Sequence, residues 1–192
     1  MRTYYAARAV SVTQDEDKYS TDFGKVVGKL RQLVRHEARS HQDVLILGSL
    51  AGRVDQGIGL LHEMYREARQ DVDIKNAAEY GPRLRLWLYS ESSCSFVLHS
   101  GRSRIVTALE RNENGVDDTT EERSSLFSPN VGLLPIYGPA AITTKGMEWD
   151  VHDWKTEMGG QVSTSNHVVD LAAGAEVETD HEVLFTIELA DL

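Results

Sequence analysis

Between Val44 and Gln56 the chain changes character twice within thirteen residues, and few folds accommodate such a stretch. The wholly apolar run Val44 to Leu47 predicts a strand buried on both faces of a parallel sheet. Gly48 and Gly52, with small Ser49 and Ala51 between them, predict a sharp turn whose backbone can lie close to a ligand. Arg53 and Asp55 then arrive where the buried strand ends, and in an open α/β sheet ligands bind in the crevice outside the carboxyl ends of the strands. A guanidinium there suits a phosphate in a forked geometry, and a carboxylate suits a divalent cation. The same two residues also suit a tight turn with an exposed Arg, followed by an Asp that complements the dipole at a helix N-terminus. The stretch alone leaves both readings open.

The neighbouring segments extend the α/β reading. Tyr4, Tyr5, Val10 and Val12 hint at a helix end and a short strand, and Asp15, Glu16 and Asp17 make an acidic loop. Ser20 to Arg39 predicts a helix with Phe23, Val26, Val27, Leu30, Leu33 and Val34 on one face and Lys25, Lys29, Arg31 and Arg35 on the other. Ser20 or Thr21 can cap it, which puts Asp22 in the first turn. A second helix is predicted over Asp55 to Arg69, with Ile58, Leu61, Met64, Tyr65 and Ala68 inward. A polar connection holding Gly81 and Pro82 leads to the alternating strand Leu84 to Tyr89. Helix and strand alternate here as right-handed crossovers require.

From about Ser100 the pattern changes to short strand-like runs broken by Gly, Pro, Asn and Asp: 104–109, 131–137, 140–145, 161–165 and 183–189. These predict a second, all-β domain built as a sandwich. Glu110 to Ser128 has no apolar periodicity and is predicted as a long exposed loop. The expected fold class is therefore an incomplete parallel α/β nucleotide-binding domain over residues 1–99 followed by a β-sandwich over 100–192.

Composition removes several function classes. Thirty acidic against 20 basic residues give a net charge of −10, which opposes binding to a polynucleotide backbone. The single cysteine, Cys94, forbids an intrachain disulfide, points to a reducing compartment, and sits in an apolar run as a small buried residue. Neither a signal-peptide core nor an apolar run long enough to span a membrane is present, so a cytoplasmic protein without membrane partners is expected. The seven histidines are scattered, no Walker A sequence occurs, and no Gly-x-Ser-x-Gly elbow anchors a hydrolase triad.

Six stretches together resemble the eukaryotic thiamine pyrophosphokinases: Ser20-Thr21-Asp22-Phe23-Gly24-Lys25, Leu47 through Gln56, Gly132 through Ile136, Thr143 through Trp149, Val162-Ser163-Thr164-Ser165-Asn166 and Val177 through Asp180. They run in the family's order over nearly the whole chain. The resemblance implies transfer of the pyrophosphoryl group of ATP to the thiamine hydroxyl, a Mg²⁺ requirement, and a homodimer with active sites at the subunit interface. It implies that Asp22 and Asp55 hold metal and phosphates and that Arg53 clamps phosphate charge, these three being the catalytic set. Thr21, Lys25 and Gln56 match the ATP side. Trp149 matches a wall for the flat cationic thiamine, and Ser163, Ser165 and Asn166 match its hydrogen-bonding loop. Two departures accompany the likeness. The family's Gly-Asp-x-Asp-Ser, expected just before the position of Met1, is absent, so the chain resembles a member cut at its N-terminus. Lys18 stands where the family commonly has Gln. The alternative implied by these departures is a homologue that binds thiamine without turnover.

Overall fold

The computed structural model describes residues 12–34, 41–72, 83–107 and 126–190. The predictions made for Tyr4, Tyr5 and Val10, for the helix beyond Val34, for Gly81 and Pro82, and for most of the 110–128 loop lie outside the described residues.

The first element is helix α1, Asp22–Val34. The Thr21 hydroxyl accepts the Gly24 N–H at 3.1 Å, satisfying one of the amides that a helix start leaves without a partner. Strand β1, His41–Leu47, leads through the Gly48–Gly52 turn into helix α2, Val54–Val72, which returns to strand β2, Arg83–Tyr89. β1 and β2 pair in parallel, with Val44 opposite Leu86 and Ile46 opposite Leu88, as the crossover reading requires. Both helices cover one face of this pair. Val27 and Val34 of α1, Met64 of α2 and Leu84, Leu86 and Leu88 of β2 form a buried cluster against which Phe23, Leu30, Val44, Ile46 and Leu60 pack.

Three details differ from the sequence reading. β1 is not buried on both faces: its exposure alternates, and Leu45 and Leu47 are 58% and 76% exposed because the helices cover only the Val44–Ile46 side. Val26 and Leu33 of α1 and Ile58 of α2 are exposed, since each lies just beyond the arc of its helix that meets the sheet. Glu63 and Glu67 are buried instead, because α2 turns a charged stripe towards α1. There Arg66 Nη2 lies 2.6 Å from Glu63 Oε2, and Arg31 of α1 donates to the Glu67 carbonyl at 3.1 Å.

The rest of the described chain is β structure: β3 Ser93–Leu98, β4 Gly101–Ile105, β5 Phe127–Leu134, β6 Ala140–Lys145, β7 Trp154–Thr156, β8 Ser163–His167, β9 Ala175–Thr179 and β10 Val183–Leu189. One sheet runs β1-β2-β3-β10-β5-β8 and a second runs β4-β9-β6-β7. Residues of both sheets, among them Leu98, Leu133 and Phe185 from the first and Ile105, Ile142 and Val177 from the second, share one buried core, which makes the pair a sandwich. Cys94 lies in it, and burial pushes its thiol pKa up. The runs 140–145 and 183–189 coincide with β6 and β10. The run 104–109 is shifted to 101–105, and β3, β7 and β9 were not predicted.

On the other face of β1 and β2, Asp43 accepts from Arg85 Nη2 at 2.7 Å and from Trp87 Nε1 at 2.9 Å. Partial desolvation opposes ionisation of Asp43, but the two donors outweigh it and hold the carboxyl below its ordinary value. A depressed folded-state pKa means that this contribution is present above the unfolded value, near 4, and is lost as pH falls through the folded value. Asp43→Asn is therefore expected to flatten the acid limb of stability below about pH 4. Urea midpoints of both proteins measured at pH 3 and pH 6 check this. Equal acid sensitivity would contradict it.

Candidate functional site

Two groups of polar side chains stand out, one at the starts of the two helices and one in a cleft of the sandwich. The first is built by the β1–α2 turn. Gly48 N–H donates to the Tyr89 carbonyl at 3.1 Å, extending the β1–β2 ladder by one bond past Leu47. The chain then reverses through Gly52, whose φ of 91° is left-handed and disfavours a side chain. Arg53 caps α2 through its carbonyl, which accepts the N–H groups of Gln56 and Gly57 at 3.0 and 3.2 Å. Its guanidinium meets Asp55 in a fork, Nε to Oδ1 at 3.1 Å and Nη2 to Oδ2 at 2.6 Å. This pairing holds the Asp55 carboxyl below the usual carboxylate range. Arg53, Asp55 and Gln56 are all exposed.

Thr21, Asp22 and Lys25 stand at the start of α1, preceded by a turn in which Asp17 accepts from the Ser20 hydroxyl and from the Tyr19 amide. Lys25 Nζ donates to the Asp17 carbonyl, which folds the lysine back over that turn, and Lys18 lies exposed within it. Asp22 is exposed. The start of α1 rests on the middle of α2: a Cβ built on Gly24 would lie 2.4 Å from Arg66 Nη2 and 3.3 Å from Glu63 Oε2. Glu63 is eight residues beyond Asp55, about 12 Å along the helix axis. Asp22 and Asp55 thus sit at separate places on this surface. Among the described residues no three His, Cys, Asp or Glu side chains gather to hold a metal ion. Asp22 and Asp55 each offer one exposed carboxylate, at the starts of α1 and α2.

The second group is brought together fully. Trp149, Ser163, Ser165 and Asn166 line one open cleft of about 700 Å³, with Leu133, Thr144, Val151, Trp154 and Gln161 completing its walls. Asn166 is 6% exposed and works on Trp149: its Oδ1 accepts the Trp149 N–H at 3.1 Å and its Nδ2 donates to the Trp149 carbonyl at 3.0 Å. Oδ1 also accepts the His167 N–H at 2.8 Å. The indole itself remains 55% exposed, so a clamped backbone presents a free aromatic face. The turn before it is held by Asp150, whose carboxylate accepts from the Thr144 hydroxyl at 3.0 Å and from the amides of Gly146 and Met147 at 3.0 and 3.1 Å. Trp154 is steered by its Nε1 donating to Gln161 Oε1 at 3.0 Å.

Such a cleft is suited to a flat, electron-poor ring: an indole face attracts cations, and the serine hydroxyls can donate or accept at the ring's edge. Trp154, Gln161, Asp150 and Thr144 were not picked out from the sequence. The signal available was density, since two of the chain's three tryptophans fall within six residues of each other. No residue of the helix-start group lines this cleft.

Comparison with known proteins agrees with this two-part organisation. Residues 1–76 match the family model described as "Thiamin pyrophosphokinase, catalytic domain", and residues 118–184 match "Thiamin pyrophosphokinase, vitamin B1 binding domain". Thiamine pyrophosphokinase 2 of Arabidopsis thaliana is 28% identical over 187 residues, covering 97% of this chain and 58% of the relative. Thiamine pyrophosphokinase of Saccharomyces cerevisiae is 23% identical over 212 residues, covering 97% and 64%. The chain thus spans less than two thirds of these relatives' length. The thiamin pyrophosphokinase structures from Candida albicans and from yeast superpose with TM-scores of 0.73 at 20% and 19% identity, over 98% of this chain and 68% and 65% of theirs, and share its fold. With one model covering the helix-start group, the other covering the cleft, and the fold in common, this chain belongs to the thiamin pyrophosphokinase family.

Proposed function

We propose that the protein transfers pyrophosphate from ATP to the hydroxyl of thiamine, giving thiamine diphosphate and AMP. The observation that carries this reading is the Trp149 indole, clamped through its backbone by Asn166 and exposed in a cleft that also holds Ser163 and Ser165. In this reading residues 100–192 receive thiamine and residues 1–99 receive ATP. The indole stacks on the cationic ligand, and the serine hydroxyls fix its pyrimidine edge.

The thiamine hydroxyl oxygen attacks the β-phosphorus of ATP. The new O–P bond forms as the bond from that phosphorus to the oxygen bridging to the α-phosphate breaks, AMP leaves, and the hydroxyl proton passes to solvent. Such a transfer needs alignment and cancellation of charge more than covalent help. Asp55 occupies two of the five N–H groups of Arg53 and holds its plane fixed, which leaves the remainder for phosphate oxygens. Lys25, the Thr21 hydroxyl and Gln56 add donors at the two helix starts, where anions are favoured. Mg²⁺, if it accompanies ATP, would be met by the exposed carboxylates of Asp22 and Asp55 at the two helix starts and would cancel charge on the phosphates. We further propose a cytoplasmic homodimer. Supporting it, the helix starts line no part of the cleft within one chain, so a second copy is the natural way to join nucleotide to thiamine.

Calorimetric titration of the chain with thiamine, alone and with Mg²⁺ and a non-hydrolysable ATP analogue, tests the reading when followed by an assay of AMP release. Thiamine binding with thiamine-dependent AMP release is expected. Absence of thiamine binding would overturn it, and binding without AMP release would overturn the catalytic part.

A further inference from the structure

The geometry points to Glu148 and His167 as a positioning and charge-selecting pair that makes the Trp149 cleft prefer a cationic heteroaromatic ring over its uncharged isostere. This rests on the cleft's being the thiamine site. Residues 147–149 run antiparallel to 166–168: Met147 bridges Val168, Glu148 N–H donates to the His167 carbonyl at 2.8 Å, and Trp149 exchanges two hydrogen bonds with the Asn166 side chain. That register sets Glu148 beside His167 and turns the His167 ring towards the indole, with centroids 5.4 Å apart and planes at 48°. His167 Nδ1 meets Glu148 Oε2 at 2.7 Å.

Two consequences follow from these contacts. The Trp149 backbone is fixed by Asn166 while the ring is half in solvent, so His167 backs one side of the indole and leaves the other to a ligand. An ionised carboxylate accepts only, so a neutral His167 must carry its proton on Nδ1, and Glu148 thereby selects both tautomer and ring orientation. Glu148 thus sets a carboxylate beside the stacking wall. The other charges in this stretch are Lys145, the last residue of β6 and next to the cleft-lining Thr144, so that strand alternation turns it to the opposite face, and Asp150, whose oxygens are spent on the Thr144 hydroxyl and the Gly146 and Met147 amides. Glu148 is half exposed and holds no part of that turn through its side chain; it flanks Trp149 outside the cleft's lining, so its charge acts on a bound cation through space and not by contact.

The test compares thiamine with an isostere whose thiazolium is replaced by an uncharged thiophene, by calorimetry on the full chain, for wild type, Glu148→Gln and His167→Asn. Glu148→Gln keeps size and polarity while removing charge. It is expected to weaken thiamine about three- to tenfold, as a partly screened charge at this range should, and to leave the isostere within about twofold. Raising the salt concentration should shrink the difference between the two ligands in wild type. His167→Asn is expected to weaken both ligands alike, since it removes the backing of the indole. An unchanged ratio of the two affinities in Glu148→Gln would overturn the inference and leave the thiamine reading standing. A wild-type chain that binds neither ligand would overturn both.

Discussion

Replacing Trp149 by Ala is expected to lower thiamine affinity by about a hundredfold or more while leaving the folded state almost as stable as before. The affinity loss combines stacking area with cation–π attraction, each on the order of 1–2 kcal/mol at a partly desolvated site. The small stability cost follows from burial. The indole is 55% exposed, and the two hydrogen bonds that hold this residue use its backbone N–H and carbonyl, which Ala retains. Asn166→Ala should behave in the opposite sense. It removes a buried amide that serves three backbone groups, so it should cost roughly 2–4 kcal/mol of stability as well as binding. Calorimetric titration with thiamine and urea unfolding of both variants separate the two effects. A Trp149→Ala protein that binds thiamine within threefold of wild type would remove the central support for the proposed cleft.

The largest effect on stability is expected from Gly174→Ala. Gly174 closes a turn in which Asp170 accepts the amides of Ala172 and Ala173 through its side chain and that of Gly174 through its carbonyl. Its φ is 75°, and a Cβ built there would stand 2.0 Å from the Ile105 carbonyl oxygen. That neighbour is the last residue of β4, whose ladder with β9 begins at the next residue of the turn, Ala175, so neither side can yield without breaking a pairing. Left-handed strain and backbone overlap together should cost about 3–5 kcal/mol. For a chain of this size that is a fall in melting temperature of roughly 10 °C. Gly28→Ala in α1 makes the contrast: a Cβ there meets nothing within 4 Å, and exchanging Gly for Ala in mid-helix should add about 0.5–1 kcal/mol. Thermal melts of the two proteins decide the matter, and a Gly174→Ala variant within 1 kcal/mol of wild type would refute the argument.

The success of the sequence reading varied with how locally each feature is encoded. The β1–α2–β2 crossover was legible because an apolar run, two glycines and a helical period follow one another within thirty residues, and the register of β1 with β2 agrees with it. The inner faces of the helices were only half legible. Periodicity placed Val27 and Met64 correctly, but it says nothing of paired charges, and so Glu63 and Glu67 went unremarked although Arg66 of the same helix and Arg31 of α1 draw them inside. β3 escaped because Ser93 and Ser95 interrupt the apolar run that holds Cys94, although the Ser95 hydroxyl is buried and satisfied by Thr186 of β10. In the cleft, residue type alone picked out neither the aromatic wall nor the loop, and family likeness supplied both. Asp150 was missed altogether, because its task is to hold a turn and no spacing announces that.

The six-stranded sheet also bears on how the chain is made. β3 lies between β2 and β10, and β10 is the seam to which β5 pairs as well. About 85 residues separate the end of β3 from the start of β10, which at ordinary rates of synthesis is a wait on the order of 5–15 s. Throughout that interval a nascent chain carries β3 with one flank bare, and β5, once made, has β8 on one side and nothing on the other. The sandwich is closed late, by a strand that must slide between two others already waiting for it, and a ribosome-bound precursor is the species most in need of a chaperone's shelter.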